Sequence, residues 1–410
     1  MNVDIAFLDS RHWGEREMHE RTRWLREHDP VHWSELDQLW IVTRFADVVA
    51  CSKNQEVFTS AEGVRAGNAI KLGLIDEAEP RHGQLRGLIN RGFTPRMVGR
   101  LEGVFRKITT RAIDAVAHRG ECDFVEDIAV PLPLRLIAAM IGIREEDYDR
   151  FHRWSDSMIA AEGNFGDPQV MAEAGRAYME YATYVTEIIE DRRRNPRDDL
   201  VSILTGAKDE GLLVHYDESS TRSDATDAIE GELANDELIK LLVLLLVAGN
   251  ETTRNALSGG LQQLIENPDQ RQQLVDDPSR IKAAVEEMVR VVSPVRSFSR
   301  TVTRDTELGG RKLEEGQQIL MIYPSANHDD REFRDPDRFD IHRNPTHVGF
   351  GIGNHFCLGA NLARMEMRVA FEELLRRLPD MEYLDGGPVL RPSALVRTCS
   401  ELKVRFTPEA

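Results

Sequence analysis

Cys357 stands in the stretch HVGFGIGNHFCLGANLAR, His347 to Arg364, where glycines crowd a loop just ahead of a helical run. Behind it, LGANLARMEMRVAFEELLRRLP reads as a long amphipathic helix with no breaker before Pro379. A thiol at a helix N-terminus faces free N–H groups and the positive end of the dipole, which stabilise an anion and lower a thiol pKa. Gly353 and Gly359 remove side chains where a flat group would approach the backbone, and Phe350 would keep water from the sulfur. The pattern suits a metal-binding thiolate. Cys51, Cys122 and Cys399 lack this setting and read as buried free thiols, the ordinary fate of a lone cysteine. Zinc is disfavoured at Cys357, because no second cysteine or histidine stands at ligand spacing.

Three other groupings carry polar chemistry. In DELIKLLVLLLVAGNETTRNALSGGLQQLIENP, residues four apart share a helix face, so Leu244, Ala248 and Thr252 line up. The Thr252 hydroxyl can bond back to the Ala248 carbonyl, beside Gly249, and Glu251 precedes it. Read alone, this is a buried helix with one charge turned to solvent. In EEMVR, Glu287 and Arg290 stand one turn apart, a spacing that usually means a surface ion pair worth a few tenths of a kcal/mol. In EPRHGQLRGLINRGFTP, His82 and Arg86 are four apart and can reach one anionic patch together.

Taken in order along the chain, these stretches resemble the cytochrome P-450 family, whose haem iron is held by one axial cysteinate. FGIGNHFCLG is similar to its haem-binding loop, and the likeness runs from about Arg21 to the end of the chain. The resemblance implies haem b (heme b, iron protoporphyrin IX) as cofactor and Cys357 as its metal ligand. It assigns Thr252 and Glu251 as a catalytic alcohol–acid pair, with Ala248 and Gly249 opening a groove for dioxygen. His82, Arg86, Arg300 and His355 would pair with the haem propionates, two carboxylates that need cations when buried. Phe350 and Gly359 would also lie against the haem. Glu287 and Arg290 would form a buried network with Arg338 of FRDPDRFD, bracing the cysteine loop. The chain departs from the family at EAEP, where Asp-Pro-Pro is more usual.

The elements that position these groups are mostly helical. ERTRWLREHDP, RFADVVACSKN, LEGVFRKITTRAIDAVAHRG, PLPLRLIAAMIGI, EAGRAYMEYATYVTEIIEDRRRNP and SRIKAAVEEMVRVVSP all carry helical periodicity. Strand-like pieces are short: LWIVTR, RKLEEGQQILMIY and SELKVRF. The fold class expected is mainly α with a minor β portion, the haem lying between a long central helix and the cysteine-loop helix. The whole of 1–410 is expected to form one domain. Its acidic stretch at about 208–237 reads as an exposed, mobile connection.

A net charge of -18 argues against nucleic acid as a main partner and leaves room for one local basic patch. The longest apolar run, Leu241 to Gly249, falls far short of the roughly 20 residues that span a bilayer. No leader is visible in MNVDIAFLDSRHWGEREMHE and the cysteines are scattered, so no membrane anchor and a cytoplasmic location are expected.

The resemblance implies insertion of one oxygen atom from dioxygen into a lipophilic substrate, with electrons from ferredoxin and ferredoxin reductase. Arg91, Arg96, Arg364 and Arg368 are candidates for a ferredoxin dock, or simply solvated arginines. By analogy the apolar pocket takes Leu244, Ala248, Val292, Val295, Leu395 and Val396, within walls drawn from Val64 to Leu74, Met158 to Phe165 and Val292 to Phe298. AGNETTRNALSGG looks most like actinobacterial members that oxidise steroids, branched lipids or terpenoids. The rival readings are a peroxygenase using hydrogen peroxide, a hydroxylase tailoring macrolide-type natural products, and a non-catalytic haem sensor. The alcohol–acid pair argues against the first and the last.

Overall fold

The computed structural model describes residues 3–67, 71–93, 95–161, 167–197, 199–209 and 235–409. The acidic connection at 208–237 lies, but for its edges, outside the described residues. Helices dominate. α1 (Glu15–His28), α2 (Phe45–Lys53), α3 (Arg81–Ile89) and α4 (Pro95–Asp114) come first. α5 (Pro131–Ile141), α6 (Tyr148–Ala161), α7 (Pro168–Arg194) and α8 (Leu200–Asp209) follow, then the 32-residue α9 (Asn235–Glu266). α10 (Pro268–Asp276), α11 (Ile281–Val292), the short α12 (Tyr323–Asn327) and α13 (Ala360–Arg377) complete the set.

A five-stranded sheet runs in the order β1 (Val31–Ser34), β2 (Leu39–Val42), β8 (Gln318–Ile322), β5 (Ser297–Val302) and β3 (Phe58–Thr59). β2 and β8 are parallel; the other neighbours are antiparallel. Smaller sheets pair β6 (Thr306–Leu308) with β7 (Arg311–Leu313) and β10 (Val389–Arg391) with β11 (Thr398–Glu401). β12 (Lys403–Arg405) lies between β4 (Glu121–Asp123) and β9 (Glu382–Tyr383). The stretch read as one strand, RKLEEGQQILMIY, is cut by a turn into β7 and β8, because Gly316 has a left-handed φ of 85°.

Local chemistry sets several ends. The Asp167 carboxylate caps α7 by accepting from the Gln169 N–H at 2.9 Å and the Val170 N–H at 3.3 Å. Arg192, Arg193 and Arg194 occupy its last turn, where the dipole favours cations. α5 begins on Pro131 and stops at Gly142, whose φ of 84° closes the last turn.

α9 is apolar on most sides and is the centre of the core. Leu242, Leu246, Leu257, Leu261 and Leu264 are fully buried, each contributing roughly 1.5–3 kcal/mol relative to exposure. Its neighbours come close because it carries glycines. A Cβ at Gly249 would lie 2.7 Å from Ile137 of α5, and one at Gly259 would lie 2.6 Å from Val292 of α11. α13 packs against α4, α9 and α11, so the cysteine-loop helix and the central helix belong to one core.

The start of the chain is tied to its far end. Arg296 donates to the Trp13 carbonyl at 2.9 Å, and Arg397 pairs with Glu15 at 2.5 Å. Between these anchors, Val295 and Val396 form an isolated antiparallel bridge.

Candidate active site

The loop before α13 is built by its own backbone. The Gly351 N–H donates to Val348 at 2.8 Å, Phe356 to Gly353 at 3.0 Å, and Cys357 to Phe350 at 2.8 Å. Gly353 is glycine for a reason the sequence did not suggest. Its φ is 78°, and a Cβ would stand 2.4 Å from the Ser52 carbonyl oxygen, so α2 and the turn demand it rather than a cofactor. At Gly359, by contrast, a Cβ would meet no protein atom within 4 Å, because the position opens on a cavity.

That cavity has a volume of about 1010 Å³. Cys357, Phe350 and Gly359 line one side; Ala248, Gly249, Glu251 and Thr252 of α9 line another. The sulfur is open to the cavity yet deep inside the fold. Burial therefore pushes the Cys357 thiol up, against the Gly359 N–H and the positive charges of Arg86 and Arg364. The lowering expected from the helix terminus is present in kind but outweighed by desolvation. A metal that binds the sulfur removes its proton outright.

Thr252 donates its hydroxyl to the Ala248 carbonyl at 2.8 Å. Glu251 is buried rather than turned to solvent. Its carboxylate pairs with Arg254 at 2.6 Å and accepts from the Asn255 amide at 2.9 Å. Asn255 in turn accepts from the Cys399 N–H at 2.8 Å, tying α9 to β11. Spacing of four from Glu251 was the available signal for Asn255.

β5 brings Arg300 to the site. In a strand, residues two apart share a face, so Phe298 and Arg300 both line the cavity. Ser299 between them turns away and donates to the Gly63 carbonyl at 3.1 Å. α3 supplies His82 and Arg86; the cysteine loop supplies His355. The rings of His82 and His355 lie 4.0 Å apart, His355 Nε2 is 3.0 Å from Ser60 Oγ, and His82 Nδ1 is 2.9 Å from Glu79. Burial, then Arg300, His82 and Arg86, push His355 down to about 3. Arg86 reaches the Phe356 carbonyl, and the buried Arg300 donates to its neighbour Ser299 O at 2.7 Å. Among the described residues neither arginine has a carboxylate in an ion pair, and burial lowers the pKa of both. Four cationic or polar-hydrogen side chains thus line the cavity, and of these only His82 meets a carboxylate, Glu79, an arrangement that fits the two carboxylates of haem b.

Of the residues expected to meet a substrate, Leu244, Ala248, Val295, Leu395 and Val396 line the cavity, and Val292 does not. α11 ends at Ser293 with a left-handed φ of 43°, so Val292 still faces Gly259 of α9 while Val295, past the turn, faces the cavity. Val64, Leu72, Leu74, Ile159 and Ala160 add to its walls; 68–70 and 162–166 lie outside the described residues.

The network behind the loop also differs in one member. Glu287 and Arg290 are fully buried and doubly hydrogen-bonded at 2.8 Å. The third arginine is Arg343, whose Nε reaches Glu287 at 3.0 Å. Arg338 is exposed and contributes only its carbonyl oxygen, which accepts from Arg343 at 3.1 Å. Arg290 also donates to the Asn327 carbonyl at 2.7 Å, and the Asn327 amide oxygen accepts from the Val348 N–H at 2.9 Å. The brace therefore ends on the cysteine loop itself.

Arg364 and Arg368 are not free cations. Arg364 forks onto Glu286 at 2.7 and 2.8 Å and lies over the Phe350 ring, while Arg368 pairs with Glu102 and Glu372. The side chains of Arg91 and Arg96 lie outside the described residues. A feature that sequence reasoning missed is Glu366 on α13, buried, lining the cavity and raised well above the usual carboxylate range by desolvation. One of its oxygens, Oε2, has no hydrogen-bond partner. An acid between Met365 and Met367 on the apolar face was the available signal.

The helical fold thus places a loop cysteine, Cys357, and a threonine-bearing central helix around one large cavity. The family model described as "Cytochrome P450" matches residues 165–386. A steroid C26-monooxygenase of Mycolicibacterium smegmatis is 37% identical over 410 residues, 99% of this chain and 97% of that protein. A methyl-branched lipid omega-hydroxylase of Mycobacterium tuberculosis is 37% identical over 83% of this chain and 78% of that protein. Among solved structures, a Mycobacterium marinum cytochrome P450 in complex with pseudoionone has a TM-score of 0.86 at 34% identity, covering 99% of both chains. A Bacillus megaterium relative in complex with testosterone has a TM-score of 0.81 at 31% identity, covering 95% of this chain and 99% of that one. The chain belongs to the cytochrome P450 family. It is a monooxygenase whose cofactor is haem b. Among the described residues no helix is long and apolar enough to cross a membrane.

Proposed function

We propose that this monooxygenase hydroxylates an elongated lipophilic molecule of the steroid or methyl-branched lipid class, in the cytoplasm, with electrons from ferredoxin and ferredoxin reductase. The observation that carries the reading is the cavity, whose aliphatic wall of Leu244, Val295, Leu395 and Val396 continues to Ala248, Thr252 and Cys357. The names borne by the actinobacterial relatives support the same substrate class.

In this reading Cys357 Sγ would hold the haem iron, and His82, Arg86, Arg300 and His355 would pair with the two carboxylates of the cofactor. Haem b, when bound, supplies the chemistry that activates dioxygen. The chain's own residues do the rest. Thr252, already bonded to the Ala248 carbonyl, keeps a hydroxyl at the cavity wall formed by α9. Glu251 moves a proton inward when its carboxylate swings off Arg254 and Asn255. The aliphatic wall orients the substrate and excludes water, so that protons reach the site through Glu251 and not through bulk solvent.

The test is reconstitution with ferredoxin, its reductase and a panel of steroids and methyl-branched lipids, after a screen for ligands that shift the haem absorption band. The expected result is a product one oxygen atom heavier, formed with dioxygen. Turnover with hydrogen peroxide alone would instead mark a peroxygenase. Absence of any product across the panel would remove the substrate assignment.

A further inference from the structure

A second cluster of ligating side chains lies outside the cavity, where α1 meets the segment after α12. His19 projects from α1, His328 follows the last turn of α12, and Asp337 lies nine residues further on. Their ligand atoms all fall within 4.8 Å of one another. His19 Nε2 stands 3.0 Å from Asp337 Oδ1, and the two imidazoles meet edge to face at 5.1 Å.

The geometry points to a binding site for a zinc-like divalent transition metal formed by His19, His328 and Asp337. Two ligands held at ~2.0–2.1 Å from one tetrahedral ion stand roughly 3.3 Å apart, close to the separation His19 and Asp337 already have. His328 has the arrangement of a prepared ligand. Its Nδ1 bonds the Pro324 carbonyl at 2.8 Å, so Nδ1 carries the proton and Nε2 keeps a bare lone pair. The ring is buried, which fixes its direction, whereas His19 and Asp337 are partly open and give an ion a way in.

The surroundings allow the added charge. A cavity of about 60 Å³ adjoins the cluster, lined by Arg23, Arg26, Glu27, His328, Asp330 and Asp337 among others. Room for an ion and a water is present. Arg23 lies 3.8 Å from Asp337 and would compete with a cation. Glu27, Asp329, Asp330 and Asp337 are matched by Arg23, Arg26, Arg290 and Arg331, so the surroundings are near neutral and Asp337 is the carboxylate that would meet the ion's charge. Two imidazoles and one carboxylate favour zinc or its neighbours over calcium and magnesium, which prefer all-oxygen sites.

The ion would be structural. It would join residue 19 to residues 328 and 337, fastening α1 to a segment otherwise remote in sequence. Asp337 follows Pro336, whose carbonyl accepts from Arg290 at 2.9 Å, so the clip would also steady the brace behind the cysteine loop.

The experiment takes the haem-loaded enzyme, strips it with a chelator and titrates zinc chloride by calorimetry and thermal melting. One saturable site per chain and a raised melting temperature are expected, with calcium giving neither. His19→Gln and Asp337→Asn should each weaken zinc by at least about tenfold, the loss seen even for outer partners of a metal, without moving the haem band. His328 is buried and its variants risk misfolding, so the two accessible positions carry the test. No saturable uptake, or uptake that both variants retain, overturns the site.

Discussion

Ser155 of α6 and Asn250 of α9 share a hydrogen bond of 3.0 Å in which neither residue has any exposed surface. The bond joins two walls of the active-site cavity. α6 contributes Ile159 and Ala160, and α9 contributes Gly249, Glu251 and Thr252 on either side of Asn250. The Asn250 Oδ1 atom has no partner of its own. Ser155→Ala would leave a buried amide still less satisfied and is expected to cost about 1–3 kcal/mol. Adding Asn250→Leu should return part of that loss, since removing both partners spares the stranded donor. Urea unfolding of the two single variants and the double variant measures the difference.

Thr252→Ala removes the hydroxyl bonded to Ala248 while leaving Cys357 and the cation cluster intact. Haem and ligand binding should therefore survive, and reducing equivalents should be lost as hydrogen peroxide. The ratio of product to electrons consumed is the measurement. An unchanged ratio would show that the hydroxyl has no part in proton delivery.

Arg343 and Arg338 are expected to behave unequally. Arg343→Ala removes one charged donor from the fully buried Glu287 carboxylate, which keeps Arg290, and should destabilise by about 1.5–3 kcal/mol, with faster loss of haem on heating. Arg338→Ala removes only an exposed side chain and should change stability by no more than about 0.5 kcal/mol. Equal effects would return Arg338 to the network.

Glu286 gives a dependence on acid. Burial alone would raise its carboxyl, but His347 and Arg364 overcome this and hold it at about 2, below the usual 4.5. A carboxyl depressed on folding adds stability that is complete above its unfolded pKa and lost as pH falls toward the folded one. The contribution is therefore full above about pH 5.5 and declines toward about pH 2, amounting to at most roughly 3 kcal/mol at 1.36 kcal/mol per unit. Glu286→Gln should flatten the fall in urea midpoint between about pH 6 and about 3.5.

Much of the site could be read from short spacings. A glycine loop before a helix, Thr252 four residues after Ala248, and His82 four before Arg86 are local relations, and helical geometry carries them directly into space. What failed depended on distant or strained backbone. Arg343 and Arg338 lie on one irregular loop, where Asp335 and Asn344 have φ of 48° and 34°, and spacing alone does not say which side chain turns inward. Val292 and Val295 are parted by the left-handed Ser293. Asn255 finds its partner Cys399 144 residues away. The thiol's direction of shift needed the depth of the cavity, which no local pattern holds.

The tie between Trp13, Glu15, Arg296 and Arg397 matters for how the enzyme is produced. Val295 and Val396 pair with each other beside Arg296 and Arg397, which are held by Trp13 and Glu15. Removing the segment that carries Trp13 and Glu15 to improve expression, or fusing a bulky purification handle close to Trp13, would slacken a wall some three hundred residues away in sequence. A preparation lacking Trp13 and Glu15 should accept wider molecules and discriminate among them less, so ligand profiling belongs with a chain that keeps both, any handle being placed elsewhere.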